Sequence, residues 1–198
     1  MTEPQRKILM LLANGYETYE ASVFVDVMGW NYVEGDGSTR LYTCGLRKAL
    51  ETSFNQHATV DFLISEVNVQ EYAALAIPGG FEEYGFYTDA YSEEFLALIR
   101  AFREQGRIIA SVCVAALPVG KSGALAGRRG TTYNQNPRRQ EQLKNFGVNV
   151  VDEPMVEDDG ILTCWNPSAA LGVAFRLLEM LTSTENTRRV KALMGFPI

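Results

Sequence analysis

The sequence predicts an α/β protein, a three-layer sandwich in which helices cover a mainly parallel sheet. Short apolar runs such as residues 7–12 and 73–77 are hydrophobic throughout, as expected of parallel strands that are buried on both faces. Between such runs, apolar residues recur at three- and four-residue spacing over segments of helical length. Strands that alternate with helices in this way favour an α/β sandwich over an all-β or all-helical fold.

A third observation concerns the sharp change of pattern around Cys113. The apolar run at residues 108–110 leads to this cysteine, and helix-forming residues follow without an intervening glycine or proline. In an open parallel sheet such a turn lies at the carboxyl ends of the strands, and it holds its apical side chain in a strained, exposed pose, as in a nucleophile elbow. The N–H groups of a helix beginning at Val114 are expected to lower the pKa of the Cys113 thiol. The alternative is an inert buried cysteine.

The first half of the chain contains two strong strand patterns and one strong helix pattern. We predict a strand at 7–12, a helix at 18–30 capped by Thr18, a polar insertion at 31–39, short strands near 40–44, 48–52 and 59–64 with a hairpin at 55–56, a short helix or turn at 68–72, and a strand at 73–77. The last strand ends in Pro78-Gly79-Gly80. These glycines either present backbone N–H groups to a ligand or form a tight turn.

The second half alternates more regularly. We predict a loop or lid at 81–90, a helix at 92–105, the turn at Cys113 and its helix, a short strand at 127–133, a helix at 137–146, strands at 148–151 and 161–164 separated by an acidic turn at 157–160, and helices at 168–181 and 185–194. All of this fits a single domain over residues 1–198, without repeats or linkers.

Composition excludes several classes of function. The hydrophobic fraction is 46%, the charged fraction is 21%, and no apolar run approaches the roughly 20 residues of a membrane span. The net charge of −6 argues against nucleic acid or an anionic membrane as a partner, and the arginine pairs at 128–129 and 138–139 are interpreted as solvated turns. The N-terminal residues MTEPQRK lack a secretory signal pattern, so we expect a cytoplasmic protein.

Cysteine and histidine usage narrows the chemistry. Cys44, Cys113 and Cys164 are widely spaced and lack a CxxC pair, which indicates free thiols in a reducing compartment rather than disulfides or a zinc site. Cys164 is interpreted as structural. The single histidine, His57, lies in a polar stretch and is expected to be an exposed residue without a role. Any mechanism that needs histidine would have to use this residue.

Five signals occur in a characteristic order: Glu20 after the first strand, then residues 78–80, 110–113, 130–132 and 160–163. In order and spacing they resemble the ThiJ/PfpI family, which includes the Parkinson's-associated protein deglycase and belongs to the class I glutamine amidotransferase-like superfamily. The resemblance covers about residues 7–181. It implies a flavodoxin-like sandwich and a homodimer.

The resemblance also implies the residues of the site. Cys113 is placed at the elbow with Glu20 facing it, and the backbone N–H groups of Gly80 and Val114, with Gly79 beside them, form an oxyanion pocket. Glu17, one turn earlier, is the competing carboxylate, but the family spacing favours Glu20. A protonated Glu20 would donate a hydrogen bond to the Cys113 thiolate, which supplies a nucleophile and a proton carrier without histidine, metal or cofactor.

Two departures from the family pattern bear on activity. Val114 follows the cysteine where the peptidase branch has histidine, which argues against proteolysis by a Cys-His pair. Tyr133 follows the Thr-Thr pair where many relatives have histidine, and a phenol that titrates near pH 10 is a poor base at neutral pH. Tyr133, Tyr16 and Trp165 are candidates for lining the pocket, although aromatic residues at such places are commonly core residues.

Two functions follow from the resemblance. The first is a cofactor-independent cysteine enzyme that acts on small electrophilic carbonyls, of the glyoxalase or deglycase type or as a related hydrolase or hydro-lyase, through Cys113 and Glu20. The second is a non-catalytic sensor of oxidative stress, in which peroxide oxidises the Cys113 thiolate. The expected partners are a small carbonyl substrate and a second copy of the chain.

Overall fold

The computed structural model describes residues 5–197, so the first four residues, which precede the first predicted strand, lie outside the described residues together with residue 198. The strands are β1 (Arg6–Leu11), β2 (Thr39–Gly45), β3 (Ala49–Glu51), β4 (His57–Thr59), β5 (Phe62–Leu63), β6 (Ala74–Ile77), β7 (Ile108–Ser111), β8 (Arg129–Gly130), β9 (Asn149–Val150), β10 (Met155–Asp158) and β11 (Ile161–Cys164). The α-helices are α1 (Thr18–Glu34), α2 (Phe86–Ala90), α3 (Glu93–Glu104), α4 (Ala116–Lys121), α5 (Pro137–Asn145), α6 (Pro167–Leu181) and α7 (Thr184–Leu193).

Seven of these strands form the central sheet, in the order β10-β11-β7-β6-β1-β2-β5. All neighbours pair in parallel except β10, which is antiparallel to β11. Helices α1, α6 and α7 pack together in one layer, whereas α3, α4 and α5 form another. The predicted α/β sandwich with a mainly parallel sheet is confirmed.

The central strands are buried because their sequences are apolar on both faces. Every residue of β6 is buried, and Ile8, Leu9 and Leu11 of β1 have no exposed surface. Burying a side chain of this size stabilises the fold by about 1.5–3 kcal/mol relative to leaving it in water. Since β1, β6 and β7 lie side by side, their carboxyl ends bring the segments after Leu12, Ile77 and Ser111 to one edge of the sheet.

The predicted insertion at residues 31–39 is wrong. Helix α1 continues to Glu34, and only residues 35–38 connect it to β2. Asn31 is fully buried, and its side-chain amide donates to Asp36 Oδ1 and to Thr39 Oγ1, both at 2.9 Å. These bonds explain why polar residues extend the helix here. Thr18 is not the N-cap either, because Glu17 occupies that position.

Other differences are local. The segment at 81–90 is helical, with a 3₁₀ turn at Glu82–Tyr84 before α2, and the helix after the elbow is reduced to a 3₁₀ turn at Cys113–Ala115 followed by the short α4. Strand β10 was not predicted: its last two residues take up part of the presumed acidic turn, and the true turn lies at Asp159 and Gly160, which have φ of 47° and 78°. The predicted strand at 59–64 is divided between β4 and β5.

The predicted hairpin is present as β3 and β4, which pair antiparallel with Glu51 opposite His57. Its turn is tight, because Phe54 and Asn55 have φ of 62° and 60°. His57 is exposed on β4, as expected from its polar surroundings.

Candidate active site

The structure places Cys113 on a sharp turn between β7 and α4, as the sequence pattern predicts. Its φ is 57°, in the left-handed region that non-glycine residues adopt at a cost of about 1–3 kcal/mol. The turn is held from two sides. Thr132 Oγ1 donates to the Cys113 carbonyl oxygen at 2.9 Å, and the Ala115 N–H donates to Val112 O at 2.9 Å. The surrounding structure therefore maintains the strained backbone at the cysteine.

Glu20 lies in the first turn of α1 and is fully buried. The Gly79 N–H donates to Glu20 Oε2 at 2.7 Å, whereas Oε1 has no hydrogen-bond partner among the described residues. A Cβ on Gly79 would lie 2.8 Å from Oε2, so the glycine is what permits this close approach. The Glu20 carboxyl group and the Cys113 thiol thus lie at the same edge of the sheet. They are close enough for the pKa of each group to depend on the other.

Burial raises the pKa of Glu20 to about 8, and the nearby charge of Glu17 contributes in the same direction. The hydrogen bond from Gly79 and the contact with Cys113 act in the opposite direction but are smaller. Glu20 therefore carries a proton at neutral pH, and its unpartnered Oε1 is available as a donor.

The surroundings of Cys113 raise the pKa of its thiol, contrary to the lowering expected from the sequence. Burial, followed by the negative charge of an ionised Glu20, raises the pKa of the Cys113 thiol above its usual range. The Val114 N–H contacts the sulfur and opposes this effect, but α4 has only six residues and supplies no long helix to add to it. Because the charge of Glu20 vanishes when that residue is protonated, the two groups titrate as a coupled pair.

Two backbone N–H groups at this edge are candidates for binding an oxygen atom of a substrate, one of them free and the other in contact with the Cys113 sulfur. The Gly80 N–H, at the end of β6, donates to no acceptor in residues 5–197, and a Cβ at this position would lie 2.3 Å from Gly15 O. The second is the Val114 N–H beside the sulfur. The Gly79 N–H, by contrast, is used by Glu20, so the structure assigns Gly79 to positioning the carboxyl group rather than to the oxyanion pocket.

A cleft of about 270 Å³ opens at Cys113. It is lined by the elbow, the segment after β6, α2 and the first turn of α5. The lining residues are Glu17, Gly80, Phe81, Glu82, Glu83, Tyr87, Cys113, Val114, Tyr133, Asn136, Arg139 and Pro167. A cleft of this size accommodates a small molecule.

Of the three aromatic candidates, only Tyr133 lines the cleft. Tyr16 is 6% exposed and its side chain belongs to the hydrophobic core, while its backbone forms an antiparallel bridge to Gly80. Trp165 is half-buried and lies outside the cleft lining, with its ring nitrogen unpartnered among the described residues. The placement of Tyr16 and Trp165 in the pocket was therefore wrong.

Arg139 lines the cleft but was not predicted as a site residue. The pair at 138–139 was interpreted as a solvated turn, and Arg138 is indeed exposed. Arg139, however, projects from α5 into the cleft, pairs with Glu82 at 2.6 Å, and lies 4.6 Å from the ring centroid of Tyr87. These contacts arise because α5 lies next to the segment at 81–90, and no local sequence pattern predicts that arrangement.

The other two cysteines are fully buried. Burial raises the pKa of Cys164 to about 12 and raises that of Cys44 still further. The Cys164 sulfur accepts a hydrogen bond from the backbone N–H of Cys113. Cys164 therefore stabilises the turn at Cys113, but it does not line the cleft.

A larger and more open cleft of about 700 Å³ lies beside the β3–β4 hairpin, where Arg47 forms a bidentate pair with the buried Asp89. It includes His57 but none of the candidate catalytic residues. Within residues 5–197, no cluster of three or more histidine, cysteine or acidic side chains is arranged to hold a metal ion. None of the helices in this part of the chain is long and apolar enough to cross a membrane.

Fold and site together define a class: parallel α/β sandwiches with a nucleophile elbow that presents a cysteine beside a buried carboxyl group. The model of the DJ-1/PfpI family matches residues 6–180, and the chain belongs to this family. The resemblance to the ThiJ/PfpI family is thereby confirmed.

Curated relatives and solved structures agree with this assignment. The chain is 25% identical to Protein dj-1beta of Drosophila melanogaster over 189 residues, 93% of this chain and 94% of that protein. It is 27% identical to Deglycase PH1704 of Pyrococcus horikoshii over 153 residues, 77% and 85% of the two chains. The crystal structure of Drosophila melanogaster DJ-1beta is similar with a TM-score of 0.84 at 23% identity, covering 98% of this chain and 100% of the other. Toxoplasma gondii DJ-1, oxidized, gives a TM-score of 0.80 at 22% identity, with coverage of 98% and 100%.

Proposed function

We propose that this protein is a cofactor-independent enzyme that acts on small electrophilic carbonyls, with α-oxoaldehydes such as methylglyoxal as the substrate class. The observation that carries the proposal is the pairing of Cys113, which lies on a strained turn and lines a small cleft, with the buried and protonated Glu20. Membership of a family with relatives named deglycases supports enzymatic activity on this kind of substrate.

The first chemical step uses the proton that the pair shares. In the singly protonated form of the pair, Glu20 takes the proton from the Cys113 thiol, and the resulting thiolate adds to the aldehyde carbon, forming a C–S bond while the carbonyl π bond breaks. The Gly80 and Val114 N–H groups stabilise the resulting alkoxide. Glu20 then transfers its proton to this oxygen, which yields a hemithioacetal.

The second step moves hydrogen between the two substrate carbons. The Glu20 carboxylate removes the hydrogen from the carbon bonded to sulfur and returns a proton to the neighbouring carbon, while the hydroxyl proton on the first oxygen passes to the oxygen of the second carbon. The first carbon is thereby oxidised to a thioester and the second is reduced to an alcohol, so no external redox partner is needed. Water then cleaves the thioester, releasing a 2-hydroxy acid and restoring the thiol.

The charges around the cleft select among carbonyls. Glu17, Glu82 and Glu83 face the opening, and the one arginine that lines it, Arg139, is paired with Glu82. This arrangement favours neutral or cationic substrates over carboxylate-bearing ones, because an additional anion would be repelled.

The test is lactate formation from methylglyoxal by the purified protein. We expect activity in the wild type, loss of at least a hundredfold in Cys113→Ala, and near-wild-type activity in Cys44→Ala, which removes a buried cysteine outside the cleft. Lactate formation by Cys113→Ala at the wild-type rate would contradict the proposal.

A second candidate function is oxidation sensing. Cys113 lines the cleft whereas Cys44 and Cys164 are fully buried, and the unpartnered Glu20 Oε1 is available to donate to an oxygen on the sulfur. Mild peroxide followed by peptide mass analysis distinguishes this function. The sensor requires oxidation at Cys113 first, without turnover of methylglyoxal, and earlier oxidation of either buried cysteine argues against it.

We propose further that the chain forms a homodimer, as the family resemblance implies. Exposed apolar side chains on α1, including Tyr19, Trp30 and Val33, supply surface of the kind that homodimer interfaces bury. Analytical ultracentrifugation should give twice the mass of one chain, and a monomer at micromolar concentration would contradict this. Cytoplasmic localisation stays a prediction, and the free state of all three cysteines supports it.

A further inference from the structure

Tyr87 lies on α2, in the segment for which the sequence predicted a loop or lid, and its side chain lines the cleft together with Cys113. The ring is held on several sides. The Phe86 and Tyr91 ring centroids lie at 5.2 Å and 5.1 Å, and the Arg139 guanidinium lies 4.6 Å from the centroid of Tyr87. The hydroxyl group is therefore fixed in position rather than free to turn toward solvent.

The Tyr87 hydroxyl is buried and makes no hydrogen bond with any residue from 5 to 197. Tyr91, four residues later, provides the contrast, because its hydroxyl accepts from Gln142 Nε2 at 2.8 Å. Buried hydroxyl groups are normally satisfied, so an unpartnered one in the wall of a cleft points to a ligand. Burial also raises the pKa of Tyr87, which keeps its proton at neutral pH and makes it a donor.

In the proposed reaction, one substrate atom remains as an acceptor for the Tyr87 hydroxyl, namely the second carbonyl oxygen. The oxygen of the attacked aldehyde is served by the free Gly80 N–H and by the Val114 N–H, which lies beside the Cys113 sulfur. An α-oxoaldehyde has a second oxygen on the neighbouring carbon, which gains negative charge when Glu20 removes the hydrogen from the first. The only histidine of the chain, His57, is exposed and outside this cleft, so imidazole cannot serve that oxygen.

We propose that the Tyr87 hydroxyl donates a hydrogen bond to the second carbonyl oxygen of an α-dicarbonyl substrate bound at Cys113. This inference rests on the proposed function and deepens it, because it makes Tyr87 the residue that distinguishes dicarbonyl from simple aldehyde substrates. The bond would strengthen as the enediolate forms, so it acts on the rate of hydrogen transfer as well as on binding.

The experiment compares Tyr87→Phe with the matched control Tyr91→Phe. Both changes remove one hydroxyl and keep the ring, but only the first removes a donor from the cleft wall. Two quantities are measured: kcat/KM for methylglyoxal, and the protection of Cys113 from iodoacetamide by methylglyoxal or by propanal. Propanal forms the same C–S bond without a second oxygen, and iodoacetamide reports the intrinsic reactivity of the sulfur.

In Tyr87→Phe we expect kcat/KM for methylglyoxal to fall at least tenfold and its protection of Cys113 to weaken by a similar factor. Protection by propanal, the rate of iodoacetamide modification and the melting temperature should stay unchanged, and Tyr91→Phe should keep kcat/KM within about twofold of the wild type.

Three outcomes overturn the inference. If wild-type and Tyr87→Phe proteins are equal in turnover and protection while Cys113→Ala is inactive, the proposed function stands and the role of Tyr87 is wrong. If protection by propanal and methylglyoxal falls equally, the substitution has altered the cleft instead of removing a bond to the second oxygen. If neither aldehyde protects wild-type Cys113 and no lactate forms, the proposed function fails and the inference fails with it.

Discussion

Glu20 shows how burial converts an ordinary carboxylic acid into a proton carrier. The side chain has no exposed surface and one hydrogen bond from Gly79, which is too little to hold a charge away from water. Its pKa rises to about 8 as a result. The resemblance to the family identified Glu20 and Cys113, but the sign of the thiol shift could not be predicted, because it depends on how deeply the fold buries the sulfur.

The first prediction concerns the pH dependence of stability. The folded-state pKa of Glu20 is raised from 4.5 to about 8, so the favourable contribution of its neutral form is complete below the unfolded-state pKa and is lost as the pH rises through 8. Glu20→Gln stays neutral and keeps an oxygen for the Gly79 N–H. Relative to this variant, the wild-type free energy of unfolding should fall on the order of several kcal/mol between pH 5 and pH 9.

Urea unfolding at pH 5, 7 and 9 checks this expectation. Parallel stability profiles for wild type and Glu20→Gln would show that Glu20 does not gain a proton on folding.

The second prediction uses two adjacent threonines that are both fully buried. Thr132 Oγ1 donates to the Cys113 carbonyl oxygen, whereas Thr131 Oγ1 has no partner among the described residues. Thr132→Val leaves that carbonyl without its donor and should lower the free energy of unfolding by about 1–3 kcal/mol, together with kcat. Thr131→Val removes an unsatisfied hydroxyl and should be neutral or slightly stabilising. Chemical denaturation that ranks the two variants in the opposite order would contradict this account of the elbow.

At the scale of elements, the strongly patterned segments were predictable and the polar ones were not. Strand β11 lies at 161–164 as expected, and α3 and α6 begin and end within two residues of their predicted limits. The end of α1 was misjudged because Asn31 forms tertiary bonds that outweigh its weak helix propensity. The helical segment around α2 was misjudged because aromatic residues at its surface resemble a loop pattern.

The third prediction concerns the turn after β6. A Cβ at position 80 would lie 2.3 Å from the backbone oxygen of Gly15 and 2.5 Å from the Phe86 ring. Gly80→Ala should therefore displace the turn that carries the free N–H group, with a loss of about 1–3 kcal/mol in stability and a large loss of activity. Gly172→Ala is the control, because a Cβ there meets no atom within 4 Å and α6 should gain about 0.5–1 kcal/mol. Equal melting temperatures for the two variants would contradict the argument.

At the scale of the whole molecule, the site is assembled from segments that are far apart in sequence. Four site residues each follow or adjoin a different strand: Glu20, Gly80, Cys113 and Tyr133. The family resemblance, based on the order of motifs in the sequence, was enough to predict that they lie near one another. The cleft wall was not predicted, because Glu82, Tyr87 and Arg139 meet only through side-chain contacts between α5 and the segment at 81–90. Site residues at the end of a strand can be predicted from local sequence, whereas site residues that depend on a contact between distant segments cannot.

The central claim is that Cys113 and Glu20 share a proton, and the rate of Cys113 alkylation by iodoacetamide as a function of pH tests it most directly. In the wild type, coupling predicts two steps, with one inflection near pH 8 where Glu20 ionises. In Glu20→Gln, only the thiol titrates, so a single step is expected. Identical single-step profiles in both proteins would contradict the claim.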